Sequence, residues 1–428
     1  MQTEALIHAA ILDGTKEMQP QYGRTVLIRD GKIEKIGEDG IDTTGYEVID
    51  LRGAYLMPGM INMHVHLPAT GKPQKKQRDV KKLVQTLTRF RLTTEISYKV
   101  FRPLLEMELM SGVTTIRTVG GVLNFDSRYR EEIKNNTLVG PRVIASNMAV
   151  SVPGGHMAGS LAYEATSAAE AAAYADKILD SGADLLKLMI TGGVMDAVRR
   201  GEPGVLRMPP EYVKAACDRA HRRGAIVAAH VESPEGVRVA LENGVDTIEH
   251  GAKPDERIMQ LFKEKKASVI TTISPALPYA LFDRSISHAT EVQQYNGNIV
   301  FEGIIACAKA CLEAGVPVGL GTDVGCPYIT HYDMWRELYY FHKYCGVSNA
   351  FALYSATLGN AEILGLDSEI GSIEEGKMAD LLVCAKNPLE DLKVLRSPEM
   401  VFAGGERIDI KALKKYPQVE AELDKFVD

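Results

Sequence analysis

Two hydrophobic periods alternate along the middle of this chain. Short apolar runs read as strands: "MINMHVH" from Met60, "GVTTIRTV" from Gly112, "PRVIAS" from Pro141, "ADLLKLMIT" from Ala183, "AIVAAHV" from Ala225, "GVDTIEH" from Gly244, "ASVITTI" from Ala267 and "PVGLGTD" from Pro317. Between them lie stretches such as "SAAEAAAYADKILDSG", "PPEYVKAACDRAHRRG" and "NIVFEGIIACAKACLEAG", whose apolar residues recur at helical spacing. Gly112, Gly182, Gly224, Gly244 and Gly315 fall just before strands, where helix C-caps favour glycine. Strand–helix alternation over about 300 residues predicts an α/β fold, a (β/α)8 TIM barrel, here spanning residues 58–365.

The two ends have a different texture. "EALIHAAIL", "RTVLIRDGKIEKIG" and "EVIDLRGAYLMPG" at the start, with "GSIEEGKMADLLVCAKNP" and "MVFAGGERI" near the end, alternate like antiparallel strands with tight turns. Neither set is long enough for a sound sheet alone, so residues 1–57 and 366–428 are expected to form one small β-sandwich domain together. The polar stretch from Lys72 to Lys82 is expected to be a mobile loop after the first barrel strand.

Composition narrows the function classes. The 428 residues are 45% hydrophobic and 25% charged, ordinary for a globular chain with a large core. A net charge of -7 argues against nucleic acid or an anionic membrane as partner. "MQTEALIHAAILDG" is a poor signal peptide, and no apolar run nears the ~18 residues of a membrane span. The six cysteines form no CxxC and no disulfide framework, which suits a reducing cytoplasm.

Chemistry concentrates at predicted strand ends. His64 and His66 lie two apart on a strand, so they share a face. Two converging neutral imidazoles suit a metal ion, although a pair of hydrogen-bonded surface histidines is the plainer reading. Barrel active sites sit at the C-terminal ends of the strands, and there His64 and His66 are joined by His230, His250 and Asp323. Five metal-capable residues at one mouth favour the metal reading. Lys187 sits inside "ADLLKLMIT", sharing a face with Leu185 and Met189 by parity. Desolvation and nearby cations favour its neutral amine, which can add carbon dioxide to give a carbamate able to bridge two metals. The alternative is a lysine paired with a barrel carboxylate such as Asp323; beside the histidines the carbamate accounts for more.

This set of residues resembles the amidohydrolase superfamily in its two-metal form, and the lead-in "LMPGMINMHVH" and the tail "ATLGNAEILGL…IGSIEEGKMADLLV" look like it too. Within it, "GVTTIRTVGG", "PGGH" and "LLKLMITGG" are similar to the branch holding imidazolonepropionase-like proteins and metal-dependent Xaa-Pro and Xaa-Arg dipeptidases (prolidase-like). Two positions depart from that branch. Thr118 stands where an acid often follows the second-strand arginine, and Glu232 stands where an aromatic often contacts substrate.

The resemblance implies two divalent metal ions, zinc, with His64, His66 and Asp323 on one, His230 and His250 on the other, and carboxylated Lys187 and a hydroxide between them. Two such cations acidify a shared water and polarise a carbonyl. Asp323 would carry the proton to the leaving amine. His156, in "VPGGHMAG", would donate to the oxyanion or else pack its loop. Glu232 would read a substrate amine or merely precede the helix capped by Ser233. Arg207, between Leu206 and Met208, would grip a free carboxylate with two parallel hydrogen bonds; Arg199 and Arg200 share its loop. The expected activity is cleavage of an amide bond in a dipeptide or N-acyl amino acid, a small-molecule substrate, with the homo-oligomeric state left open. A one-metal alternative, a cyclic-amide hydrolase or deaminase with Glu232 as acid/base, is opposed by Lys187. A barrel without catalysis is opposed by the complete ligand set. His8, His221, His288 and His342 are expected to be structural or solvated, His331 is a pocket candidate after the last strand, and Cys326 is expected to pack.

Overall fold

The computed structural model describes residues 3–73 and 79–427. Its first strands are β1 (Thr3–Ile11), β2 (Gln21–Arg29), β3 (Lys32–Glu38), β4 (Glu47–Asp50) and β5 (Tyr55–Pro58). Then come β6 (Met60–Val65), β7 (Val113–Thr118), β8 (Arg142–Ile144), β9 (Ala149–Ser151), β10 (Ala162–Glu164), β11 (Leu185–Met189), β12 (Ile226–Val231), β13 (Thr247–His250), β14 (Ser268–Thr271) and β15 (Val318–Leu320). The chain ends with β16 (Leu381–Cys384), β17 (Met400–Ala403) and β18 (Glu406–Ile408).

The central strands are parallel and fall into two sheets. One runs β6-β7-β8 and the other β10-β9-β11-β12-β13-β14-β15. Backbone bonds cross both gaps between them. Asp323 N–H donates to His64 O at 2.9 Å and His66 N–H to Val324 O at 3.2 Å, while Asp184 N–H donates to Ala145 O at 2.7 Å. Asn360 ties β6 to β15 from outside, its Nδ2 donating to Ile61 O at 2.8 Å and Leu320 O at 2.9 Å and its Oδ1 accepting from Leu320 N–H. Strand parity sorts the side chains. Leu186, Leu188 and Ile190 join the large core between strands and helices, whereas Leu185 packs inward with Val119 and Ala228.

Both chain ends enter one sheet of order β18-β17-β16-β5-β1-β2-β3, with β4 pairing β1 off that path. β1 changes partner along its length: residues Glu4 to Ile7 pair with β4, and Ala10 and Ile11 pair with β5. The change falls at His8, whose φ of 56° puts a left-handed kink in the strand. This sheet has its own cluster of buried side chains, including Leu6, Val26, Ile33, Leu381 and Phe402.

Three features depart from the sequence reading. β9 and β10 are additional three-residue strands, too short to announce themselves by alternation. The expected loop from Lys72 to Lys82 lies partly outside the described residues, at 74–78, and helix Val80–Thr88 begins within it, capped by Asp79 accepting from Lys82 N–H. A twenty-residue helix, Arg91–Met110, then follows. No helix among the described residues is long and apolar enough to cross a membrane.

Candidate active site

A cavity of about 230 Å³ opens at the C-terminal ends of the parallel strands, and His64, His66, Lys187, His230, His250 and Asp323 all line it. These strands are apolar enough to bury completely, so a polar side chain on their inner face is delivered to the cavity floor with little freedom. His64 comes from β6, and Lys187 from the middle of β11. His230 is near the end of β12, and His250 is the last residue of β13. Asp323 follows β15, at the gap to β6.

The four imidazoles are each anchored by one ring nitrogen. His64 Nδ1 lies 2.7 Å from Glu249 Oε2, His66 Nδ1 lies 2.8 Å from Gly120 O, His250 Nδ1 lies 2.6 Å from Thr272 Oγ1, and His230 Nε2 lies 3.2 Å from Gly192 O. The second nitrogen of each ring is thereby left for the centre, the arrangement that fixes tautomer and direction in metal-binding histidines. Donor atoms of His64, His250 and Asp323 lie within 4.8 Å of one another, as do those of His230, Glu232 and His250. Asp323 Oδ1 stands 3.3 Å from His64 Nε2 and 3.1 Å from His66 Nε2.

Electrostatics prepare these groups as ligands. Burial, with the positive charge of nearby Lys187 acting in the same direction, holds His230 and His250 well below the usual imidazole range. Burial alone would lift Asp323, but His64 and His66 beside it hold it well below the carboxylate range. Burial pulls the Lys187 amine down to about 8, against the pull of Glu249. Lys187 Nζ has no hydrogen-bond partner in the structure although the residue is 1% exposed. A buried, unpaired, partly neutral amine beside four imidazoles and a carboxylate fits a centre that holds divalent cations.

The supporting shell was not foreseen. Glu249 is fully buried and bonds both His64 and the guanidinium of Arg117, whose Nη2 lies 2.6 Å from Glu249 Oε1. Arg117 Nε also donates to Met63 O at 2.7 Å, tying β7 to β6. Against burial, Arg117 and His64 keep Glu249 ionised. The signal was available in part: each is a charged residue inside a predicted strand, β13 for Glu249 and β7 for Arg117, although neither strand is as apolar as the one that singled out Lys187.

The rim carries the remaining candidates. His156 stacks on His230 with ring centroids 4.1 Å apart and planes at 4°. Its Nδ1 is 2.5 Å from Asp196 Oδ2, which leaves Nε2 as its other polar atom. Asp196 lies in the turn Val194–Asp196 and also accepts from Gly193 N–H. Glu232 follows β12, lines the cavity, and accepts from Val194 N–H at 2.9 Å through Oε2. Burial pushes it up to about 8.

Arg207 is not brought into this group. It is exposed and absent from the described lining of the cavity, next to the bridge that pairs Leu206 with Thr191. Two other expectations also change. His288, expected away from the mouth, is on the cavity lining, whereas His331 is buried between Glu108 Oε1 and Ala69 O. Cys326 lines the cavity with a thiol pushed well up by burial, which does not favour a nucleophile.

Comparison with known proteins gives a consistent picture. A family model described as the amidohydrolase family matches residues 55–408. A solved structure from Bifidobacterium longum, provisionally named a prolidase, superposes with a TM-score of 0.88 at 35% identity, covering 100% of this chain and 99% of that one. A Xaa-Pro dipeptidase structure with bound methionine in its active site gives a TM-score of 0.84 at 27% identity over 95% of this chain and all of that one. Ochratoxinase of Aspergillus niger is 26% identical over 321 residues, 68% of this chain but only 64% of the ochratoxinase.

Proposed function

The chain belongs to the amidohydrolase family, and from that premise we propose that it is a hydrolase of C–N bonds that cleaves an amide bond in a dipeptide or N-acyl amino acid at a two-metal centre. The observation that carries this reading is the buried, unpaired Lys187 amine among the anchored imidazoles. Carboxylation would give that amine the negative charge and two oxygens that a pair of cations requires. His64, His66 and Asp323 would hold one ion and His230 and His250 the other. The nitrogen and carboxylate donors suit zinc. When bound, such ions supply Lewis acidity toward a carbonyl and toward water.

The residues of the chain do the rest. Asp323, ionised at the junction of β15 and β6, takes the proton of the attacking water and delivers it to the departing amine. His156, held through Nδ1 by Asp196, offers Nε2 to the carbonyl oxygen. The apolar walls from Met157, Leu161 and Val194 exclude water around the bond. A one-metal mechanism with Glu232 as acid/base leaves the Lys187 amine without a role.

On the same reading, the two parallel sheets close as one (β/α)8 barrel over 58–365, through the bonds at Asp323–His64 and Asp184–Ala145. The end sheet, kinked at His8, forms a β-sandwich from 1–57 and 366–428, as its separate core supports. The free cysteines suit a reducing cytoplasm.

Metal analysis tests the centre. Purified protein should carry about two divalent ions per chain, and Lys187→Ala should lose at least one. Zinc-loaded protein should release free amino acids from a panel of dipeptides and N-acyl amino acids. A single ion beside an unmodified Lys187 amine would overturn the two-metal reading, and turnover confined to cyclic amides would overturn the substrate class.

A further inference from the structure

We propose that the C-terminal segment Tyr416–Phe426 is a positioning part of the cavity wall: it holds Tyr328 and the stretch 282–288 in place, and so sets how bulky a group the opening admits. The inference goes beyond the hydrolase reading above and rests on it only where turnover is measured.

The sequence shapes this segment as a short amphipathic strap. Pro417 opens a helix that runs to Leu423. Val419 and Leu423, four apart on one face, are buried in the large core between strands and helices. Glu420 and Asp424, also four apart, face two guanidiniums. Asp424 accepts from Arg336 Nη2 at 2.7 Å and from Arg396 Nη2 at 2.9 Å, and Glu420 accepts from Arg396. Lys343 Nζ donates to Phe426 O at 3.1 Å, and Tyr416 N–H donates to Tyr332 Oη at 2.8 Å. The segment follows the end sheet in sequence, yet Tyr332, Arg336 and Lys343 lie just before or on helix Met334–Cys345, beyond the turn after β15.

Two lines of contact lead from the strap to the cavity. Phe426 stacks on Phe282 with ring centroids 5.6 Å apart and planes at 15°, and Phe282 meets Tyr328 edge-on at 5.0 Å. Gln418 Nε2 donates to Tyr328 Oη at 3.1 Å, and that hydroxyl donates in turn to Ile286 O at 3.0 Å. Tyr328 lines the cavity, as do Ser287 and His288 just after Ile286. Tyr328 also has a left-handed φ of 74°, a conformation costly for a bulky side chain, so its surroundings impose it. Both lines of contact therefore end on one wall of the cavity. Without the Phe426 ring, Phe282 loses its stacked face, Tyr328 loses the support behind its edge, and the wall is free to retreat.

The test reads hydrogen–deuterium exchange and steady-state kinetics on four zinc-loaded proteins: the wild type, Phe426→Ala, Phe426→Tyr, which keeps the ring, and Gln418→Ala, which removes an exposed amide. In Phe426→Ala, peptides covering 282–288 and 325–329 should exchange about tenfold faster, the effect of losing one aromatic pair, while peptides covering β11 and β12 stay unchanged. KM for L-alanyl-L-alanine should rise about three- to tenfold with kcat within about twofold, and kcat/KM for L-leucyl-L-phenylalanine relative to it should rise. Phe426→Tyr should restore both readouts, and Gln418→Ala should move them the same way by a smaller factor. Unchanged exchange at the cavity wall in both Phe426→Ala and Gln418→Ala would overturn the proposal. So would faster exchange throughout the chain, or a fall in kcat at constant KM, since either marks a merely structural role. Absence of dipeptide turnover in the wild type would instead overturn the hydrolase reading, while the exchange would still decide whether the segment holds the wall.

Discussion

At Asp323 an ionised carboxylate faces two imidazole nitrogens on one side and the open cavity on the other. Its φ of 52° is left-handed, so the chain turns sharply there to present the side chain. If it both ligates and moves the proton, Asp323→Asn should lower kcat by about 10³-fold or more, the range for losing a general base, with KM changing far less. Steady-state kinetics beside metal analysis check this. Near-normal turnover at full metal content would remove Asp323 from the mechanism.

Asp126 raises a different question at the same scale. It is fully buried in helix Phe125–Lys134, and neither carboxylate oxygen makes a well-formed hydrogen bond. The backbone of Gly121 covers it so closely that a Cβ there would lie 2.5 Å from Oδ2. Burial pushes its pKa up from 3.8 to about 6. Because the folded value is raised, its contribution to stability is fully present below about 3.8 and is lost as pH rises through about 6. The loss is about 3 kcal/mol at pH 8. Asp126→Asn should therefore be more stable than wild type at pH 8 and should lose that advantage by pH 4. Urea unfolding of both proteins across this range measures the difference, and parallel curves would refute the assignment.

Elements decide how much of the site could be read beforehand. Lys187 and His230 were legible because strand parity needs only local sequence and β11 and β12 pair in even register; His64 was legible from its spacing to His66, although β6 shifts register against β7 between Asn62 and Val65. His250 obeys parity only in part. Both Glu249 and His250 contact His64, although neighbours on a strand face opposite ways. The φ of 68° at His250 turns the strand end and brings both inward. Arg207 was misleading for a related reason: apolar neighbours mark burial on a regular strand, but Leu206 and Met208 flank it in a loop, where alternation says nothing about direction. Asp196 could not be assigned at all, since its contact with His156 joins two loops.

The gap between β15 and β6 yields a prediction at this scale. Gly321 lies against β6 so tightly that a Cβ would stand 2.6 Å from both His64 N and His64 Cβ. Backbone cannot yield as a side-chain tip can. Gly321→Ala should therefore cost about 1–3 kcal/mol in stability and move Asp323 away from His64, lowering metal content as well. Thermal unfolding with metal analysis would detect both. Unchanged metal content would mean that the junction adapts without disturbing the centre.

For the molecule as a whole, the proposed ligands come from β6, β11, β12 and β13 and from the turn after β15, so cations held there would bind the folded chain and not the unfolded one. Removing metal with a chelator should lower the midpoint of thermal unfolding, and zinc should restore it. An excess of 100 times the dissociation constant corresponds to about 2.7 kcal/mol for a single site. Calorimetry on the stripped and reloaded protein measures the shift. An unchanged midpoint after verified stripping would show that these residues are held by their own hydrogen bonds, such as Arg117–Glu249–His64, and gain nothing from the ions.

The junction of β6 with β15 also has a consequence in time. His64 and Asp323 are neighbours in space, yet more than 250 residues of chain are synthesised between them. At ribosomal speeds that interval lasts on the order of tens of seconds, and Asn360, which ties the two strands, emerges later still. For all that period a nascent chain displays the His64–His66 pair without the aspartate proposed to complete its half of the centre. Cations at the proposed centre would then settle only after Asp323 has emerged, or rest weakly on an unfinished chain. Ribosome-bound chains stalled before Asp323 should accordingly retain no tightly held zinc, and chains released at full length should acquire it.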